Sequence, residues 1–224
     1  MNELKALILC GGKGERLRPI TDGIPKPLVK IGGDTILSHQ LKYLKNQGIS
    51  HFILATGYKS ELIEEYISKN FSNYNIKIIN SGDVDIMLRV KESLVELEED
   101  FLICYGDTLA NVNIELLYQF HQEHRSQATV TSFQLESQFG VLEIADNGRV
   151  DEFKEKPKLD VWINIGFFII NPNIISEEIS NFADFIYSLS KNKILYSYKH
   201  QDLHITINTL NELKQAEQNI KHFI

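Results

Sequence analysis

Three glycines fall within four positions in Gly11-Gly12-Lys13-Gly14, and Glu15-Arg16-Leu17-Arg18-Pro19 follows at once. Glycine reaches positive φ without steric cost and lets a ligand approach the backbone. Successive N–H groups in such a turn form a concave anion site. Lys13, Arg16 and Arg18 add cationic side chains to it. Pro25-Lys26-Pro27 then holds a lysine between two prolines. Each proline fixes its own φ and biases its predecessor, which predicts a stiff, extended segment. A lysine presented rigidly beside a glycine-rich loop suits a triphosphate. Asp107, in Tyr105-Gly106-Asp107-Thr108, offers one carboxylate. Mg²⁺ takes one or two carboxylates and fills its other positions with water and phosphate oxygens.

Two common phosphate motifs are absent. A Walker A loop needs Ser or Thr after its lysine, and Lys13 precedes Gly14. The dinucleotide fingerprint needs a third spaced glycine, and Leu17 stands there. ATP hydrolysis of the P-loop type and Rossmann oxidoreduction are both disfavoured. The formal net charge of −7 argues against nucleic-acid binding. Yet Gly11–Lys30 holds five basic and two acidic side chains, so that segment is +3 and the remainder −10. The overall acidity excludes a long polyanion as partner and leaves room for one nucleotide.

These groups need strands and helices to place them. Lys5–Cys10, His51–Thr56, Ile76–Asn80 and Phe101–Tyr105 read as short buried strands, most of them ended by glycine. Thr35–Gly48, Ser60–Asn70 and Ile86–Glu98 read as the helices between them, with Ser60 as a cap. This alternation predicts a mostly parallel sheet with helices on both faces. The glycine loop and Asp107 then share the carboxyl edge of the sheet, where open α/β folds bind ligands. Beyond it, Ile114–His124 reads as a helix. Ala128–Phe133, Gly140–Ile144, Val150–Glu155 and Ile163–Ile170 read as strands, with Asn147-Gly148 as a hairpin turn. A helical region from Pro172 to Ser190, a strand Lys193–Lys199 and a helix from Leu213 to Phe223 complete the chain. With no repeat or linker, residues 1–224 are expected to form one domain. Its nucleotide half would be about residues 1–110 and its second half about 111–224. Cys10 and Cys104 lie in apolar runs and read as core residues. His121 and His124 share a helix at metal-compatible spacing, but with no third ligand nearby they read as a half-exposed face. No stretch has the length of a membrane span or signal peptide, so a cytoplasmic protein without a membrane partner is expected.

The run Gly11-Gly12-x-Gly14-x-Arg16-Leu17-x-Pro19, followed by Pro25-Lys26-Pro27, resembles the signature of the sugar-1-phosphate nucleotidyltransferases. The resemblance extends in order from residue 4 to about 220. It implies an α/β fold: a mostly parallel, Rossmann-like nucleotidyltransferase sheet with a small antiparallel sugar-side portion. The implied reaction joins a nucleoside triphosphate to a sugar 1-phosphate and releases pyrophosphate, with Mg²⁺ as cofactor. Nucleotide contacts would fall on Leu9, Gly11, Gly12, Gly14, Arg16, Lys26, Gly82, Arg89 and Gly106, with Arg16, Lys26 and Asp107 catalytic. Sugar-phosphate contacts would fall on Gly140, Glu155, Lys156, Asn164 and Gly166, and the metal on Asp107 and Asn208. Trp162-Ile163-Asn164-Ile165-Gly166-Phe167-Phe168 and Phe139-Gly140-Val141-Leu142 resemble especially the glucose-1-phosphate cytidylyltransferase branch, and Arg89 matches an arginine of that branch, so CTP is favoured.

Two positions depart from the family pattern. The glycine pair usual before the helix after strand three is replaced by Ile86-Met87-Leu88, leaving Arg89 and the Ser81-Gly82-Asp83 loop as candidate base contacts. Asn208, in Ile207-Asn208-Thr209-Leu210, stands where the family has a metal-binding Asp. An amide oxygen can bind Mg²⁺ but brings no charge. Three other readings stay open. They are transfer to a non-sugar phosphate such as phosphocholine, a catalytically weak binding homologue, and a glycosyltransferase using Asp83-Val84-Asp85 as its metal motif. A homo-oligomer is also left open.

Overall fold

The computed structural model describes residues 4–223. Strand β1 (Ala6–Leu9) leads through the glycine loop and the single turn α1 (Ile20–Gly23) to a small ribbon, β2 (Lys30–Ile31) and β3 (Asp34–Thr35). There follow α2 (Ile36–Asn46), β4 (His51–Thr56), α3 (Ser60–Asn70), β5 (Asn75–Asn80), α4 (Ile86–Ser93) and β6 (Phe101–Tyr105). The later part comprises β7 (Thr108–Ala110), α5 (Ile114–Glu123), β8 (Ala128–Glu136), β9 (Val141–Ile144), β10 (Val150–Lys154) and β11 (Lys158–Ile170). It closes with α6 (Phe182–Lys191), β12 (Leu195–His200), β13 (His204–Thr206) and α7 (Leu210–Asn219).

Seven strands form the central sheet in the order β12-β8-β11-β6-β1-β4-β5. All are parallel except β11, which runs antiparallel to both β6 and β8. Alternate residues of β1 explain the two layers. Ala6 and Ile8 face a core built with Leu37, Leu41 and Leu44 of α2, Ile63 and Ile67 of α3, and Ile114 and Leu117 of α5. Leu7 faces the other core, with Met87 and Val90 of α4 and Phe182, Phe185 and Leu189 of α6. The expected parallel sheet with helices on both faces is therefore present. A third cluster joins Leu17 to Val29, Ile31, Ile205 and Ile220, and packs the glycine loop's turn against α7. Cys10 and Cys104 are buried free thiols in the first core, and burial pushes both well above the usual thiol range.

Several sequence expectations shift. The Pro172–Ser190 region is helical only at Pro172–Ile174, a short 3-10 turn, and in α6. Ser60 does not cap α3: Lys59, at φ 53°, precedes the helix, and the Ser60 hydroxyl instead pairs with Thr56 and donates to Glu64. Strand β11 is longer than expected, because a bulge lets its polar first half continue along β8.

Asp34 ties the first helices together. Its carboxylate accepts from Lys42 Nζ (2.6 Å), the Ser38 hydroxyl (2.6 Å), the Thr35 N–H (2.8 Å) and the Tyr66 hydroxyl (3.2 Å). Burial alone would raise its pKa, but the bonds from Lys42, Ser38 and Thr35 outweigh it and pull the carboxyl down to about 2. A depressed carboxyl pKa contributes stability above its unfolded value, and that stability is lost as pH falls through the folded value. Asp34→Asn should therefore lower stability at pH 7 by about 1 kcal/mol in urea unfolding. The gap to the native chain should close as pH drops from about 4 toward 2.

Candidate active site

The carboxyl ends of β1 and β6 open into a cleft of about 710 Å³. Its walls come from the glycine loop, the loop after β5, the β6–β7 turn, β11 and the segment around β13. Leu9, Gly11, Gly12, Gly14, Arg16, Lys26, Arg89, Gly106, Asp107, Asn164 and Asn208 all line it. Most of the residues singled out in the sequence thus meet in one place, although they come from six separate segments.

The floor of the cleft is a charged cluster. Lys26 is only 7% exposed, and its ammonium donates to Asp107 Oδ2 (2.5 Å) and to Asn208 Oδ1 (3.0 Å). Arg16 Nη2 donates to the same amide oxygen (2.8 Å). The Asn208 N–H is itself bonded to the Glu212 carboxylate (2.5 Å), which fixes the segment entering α7. The Pro25–Pro27 segment is not extended as expected. Lys26 opens a 3-10 turn over Lys26–Leu28, with Pro27 inside it, and this tight turn aims the ammonium at Asp107. Asn208 reaches the cluster because β13 pairs antiparallel with β7, setting Thr206 opposite Thr108, the residue after Asp107.

A second element of the site is Arg89. Its guanidinium is nearly enclosed and donates to the carbonyls of Thr56 (2.5 Å), Gly11 (3.2 Å) and Val84 (3.1 Å). Burial pulls its pKa below the usual guanidinium value. One side chain thus ties the glycine loop, the end of β4 and the loop after β5 to each other. The geometry explains Gly11: a Cβ there would stand 1.9 Å from Arg89 Nη1. Arg89 is therefore a positioning residue with its carbonyl partners already chosen, and it contributes to the wall of the cleft. Lys13 and Asp83 face each other across the same two loops as an exposed ion pair at 2.5 Å.

On the opposite wall, Gly166 has φ 80° at the β11 bulge, and its N–H donates to Asn164 Oδ1 (2.7 Å). The Tyr105 ring packs where a Gly166 Cβ would be, so this position requires glycine. Gly166 itself lies behind the lining, with Asn164 presented in front of it.

Among the described residues, no three His, Cys, Asp or Glu side chains form a metal cage. Asp107 and Asn208 do, however, point oxygens at one spot, now held by the Lys26 ammonium. One carboxylate and one amide oxygen suit a Mg²⁺ ion that draws its remaining ligands from phosphate and water. The residues present fit the group.

A profile of the nucleotidyl transferase family matches residues 5–224. The chain belongs to this family. It is 34% identical, over an alignment of 245 residues, to a probable glucose-1-phosphate cytidylyltransferase of Bacillus subtilis, with 96% of this chain and 95% of that protein covered. It is 37% identical over 199 residues to glucose-1-phosphate cytidylyltransferase of Salmonella typhi, covering 77% of each. A mannose-1-phosphate guanylyltransferase catalytic subunit beta of Danio rerio is 36% identical across 77% of this chain, which spans 51% of that protein. HddC from Yersinia pseudotuberculosis, complexed with GMP-PN, superposes with a TM-score of 0.78 at 22% identity, with 97% and 99% of the two chains covered. That last likeness shows the fold. The resemblance read from the glycine loop therefore holds, while the relatives differ in the base their names carry. No helix among the described residues is long and apolar enough to cross a membrane.

Other sequence-marked residues lie elsewhere. Gly82, at φ 72°, sits in the loop after β5 beside Asp83 but outside the lining. Gly140, Glu155 and Lys156 belong to the β9–β10 ribbon and its exit, also outside the lining; all three are exposed, and a Cβ on Gly140 would meet the Phe153 ring. His121 is buried rather than half-exposed. Its Nδ1 meets the Thr129 hydroxyl (2.8 Å), and its Nε2 stands 3.3 Å from the Asp100 carboxylate. His124 bonds to the Phe120 carbonyl, so the two imidazoles have separate structural partners. The sequence reading missed His204 and Thr206, which line the cleft next to Asn208.

Arg89→Lys keeps the charge but cannot reach three carbonyls, and Gly11→Ala displaces the guanidinium. Each should destabilise the fold by about 2 kcal/mol in urea unfolding. Together they should cost clearly less than the sum, because both break the same contact.

Proposed function

We propose that this chain transfers a nucleotidyl group from a nucleoside triphosphate, CTP in the first instance, to a sugar 1-phosphate, with Mg²⁺ as cofactor. The observation that carries the reading is the Lys26–Asp107–Asn208–Arg16 cluster at the mouth of a glycine-rich loop. CTP is supported by the cytidylyltransferase names of the two relatives above and by the Trp162–Phe168 segment. Residues 1–224 act in this reading as one unit, with the nucleotide on the 1–110 side and the sugar on the 111–224 side.

In the reaction, a phosphate oxygen of the sugar 1-phosphate forms a bond to the α-phosphorus. The bond from that phosphorus to the bridging oxygen of the β-phosphate breaks, and pyrophosphate leaves with the electron pair. The nucleophile is already an anion, so no general base is required. Catalysis rests on alignment and charge neutralisation. The N–H groups of Gly11, Gly12 and Gly14 cradle the triphosphate. Arg16 and Lys26, which share Asn208 Oδ1, turn their donors to phosphate oxygens. Asp107 and Asn208 would hold Mg²⁺, which when bound spreads the charge of the triphosphate. Glu155 and Lys156 are assigned to the sugar phosphate, a role that requires the β9–β10 ribbon to approach the cleft.

The glycosyltransferase alternative loses its motif here. Asp85 caps α4 through the Met87 N–H (2.7 Å), and Asp83 is paired with Lys13. A weak, binding-only homologue keeps one supporting observation, the uncharged Asn208.

Pyrophosphate release across CTP, UTP, GTP, ATP and dTTP with several sugar 1-phosphates and with phosphocholine tests the reading. Release with CTP and a sugar 1-phosphate is expected. Lys26→Ala should lower kcat about 100- to 1000-fold in a chain that still folds, as its circular dichroism at assay temperature would show. Asn208→Asp should lower the Mg²⁺ concentration needed for half-maximal rate. Absence of release with every pair would leave binding as the function, and near-normal turnover of Lys26→Ala would remove that lysine from the mechanism.

A further inference from the structure

His204 is a cleft residue to which neither the charged cluster nor the fold gives a partner. Residues 204, 206 and 208 all line the cleft, as successive same-side positions of an extended segment should. Asn208 sits at the phosphate-facing cluster, so His204 lies further out, at most about 13 Å along the chain. There its ring packs against Phe133 at a tilt of 48°, with ring centroids 5.1 Å apart. Phe133 of β8 is paired with Ile163 of β11, and Ile163, Asn164 and Ile165 form the adjoining wall. The imidazole thus stands over the strand assigned above to the sugar.

Its hydrogen-bonding capacity is unused. Neither ring nitrogen bonds to a described residue; Nε2 is enclosed by protein, which leaves Nδ1 as the nitrogen that can meet a ligand in the cleft. Burial, with a smaller push from His200, lowers the His204 pKa to about 4, so the ring is neutral at pH 7. The Nδ1 of a neutral imidazole donates or accepts according to its tautomer, and a sugar hydroxyl can meet either. A quaternary ammonium group could use neither.

We propose that His204 reads a hydroxyl group of the bound sugar, at the end away from its phosphate, and so selects polyhydroxylated phosphates over other phosphate esters. The inference rests on the transfer to a sugar 1-phosphate set out above. A site built around a hydrogen bond to a hydroxyl rejects the analogue lacking it far more strongly than an apolar wall would.

The test is pyrophosphate release with the sugar 1-phosphate accepted best and with its series of monodeoxy analogues, for the native chain, H204F and H204Q. H204F keeps a ring on Phe133 and removes both nitrogens; H204L replaces it should H204F melt early. The native chain should show about a tenfold or greater loss of kcat/KM at one deoxy position. H204F should lose discrimination at that position alone, with KM for the triphosphate unchanged, and H204Q should restore part of it. The same deoxy profile in H204F as in the native chain would overturn the inference while leaving the activity intact. A native chain that discriminates at no position would overturn it too. A native chain inactive with every sugar 1-phosphate would instead remove the reading on which it rests.

Discussion

A buried ammonium ion cannot stay in a protein without counter-charge and hydrogen-bond acceptors. Lys26 is such an ion, and most features of the cleft follow from satisfying it. Asp107 supplies the charge and Asn208 the second acceptor, and Arg16 shares that acceptor from the other side. Two cations against one carboxylate leave the floor of the cleft with a surplus of one positive charge. An anion with several oxygens completes this arrangement, because it offers acceptors to donors that now share one amide oxygen. In a chain of net charge −7, that local surplus is what makes a phosphate-rich ligand compatible with an acidic protein.

The fold serves this cluster by bringing strand ends together. Parallel strands β1, β4 and β6 deliver the glycine loop, the Thr56 carbonyl and Asp107 to the same edge. Arg89 then fixes the two loops on the far side of β1 by bonding to their carbonyls, which turns flexible glycine-rich backbone into a defined wall. The antiparallel strand β11 closes the opposite side, and its bulge at Gly166 lets Tyr105 fill the gap behind Asn164. The site is rigid where three strands of the sheet hold it. The β9–β10 ribbon, whose strands pair only with each other, lies outside the lining of the cleft.

Much of this could be read from the residues alone. The glycine loop, Lys26 and Asp107 are marked by composition and by position after buried strands, and strands β4 and β6 fall at the expected residues. What could not be read shares one physical cause. Strands β7 and β13 have three residues each, too few for a periodic pattern, and their pairing alone brings Asn208 to Lys26. The same pairing conceals His204, which in the sequence is only one histidine among seven. The carbonyl contacts of Arg89 were hidden for a related reason: backbone acceptors carry no residue signature. The 3-10 turn at Lys26 defeated the expectation of an extended segment because packing of Leu28 and Val29 outweighs the bias proline places on its predecessor.

The central claim is that the Lys26–Asp107–Asn208–Arg16 cluster is a triphosphate site. A crystal structure with a non-hydrolysable CTP analogue tests it most directly. The account predicts phosphate oxygens within hydrogen-bond distance of Lys26 Nζ and the Arg16 guanidinium, with the Asn208 amide released from at least one of them. A nucleotide bound elsewhere, with the four side chains still paired to one another, would contradict it.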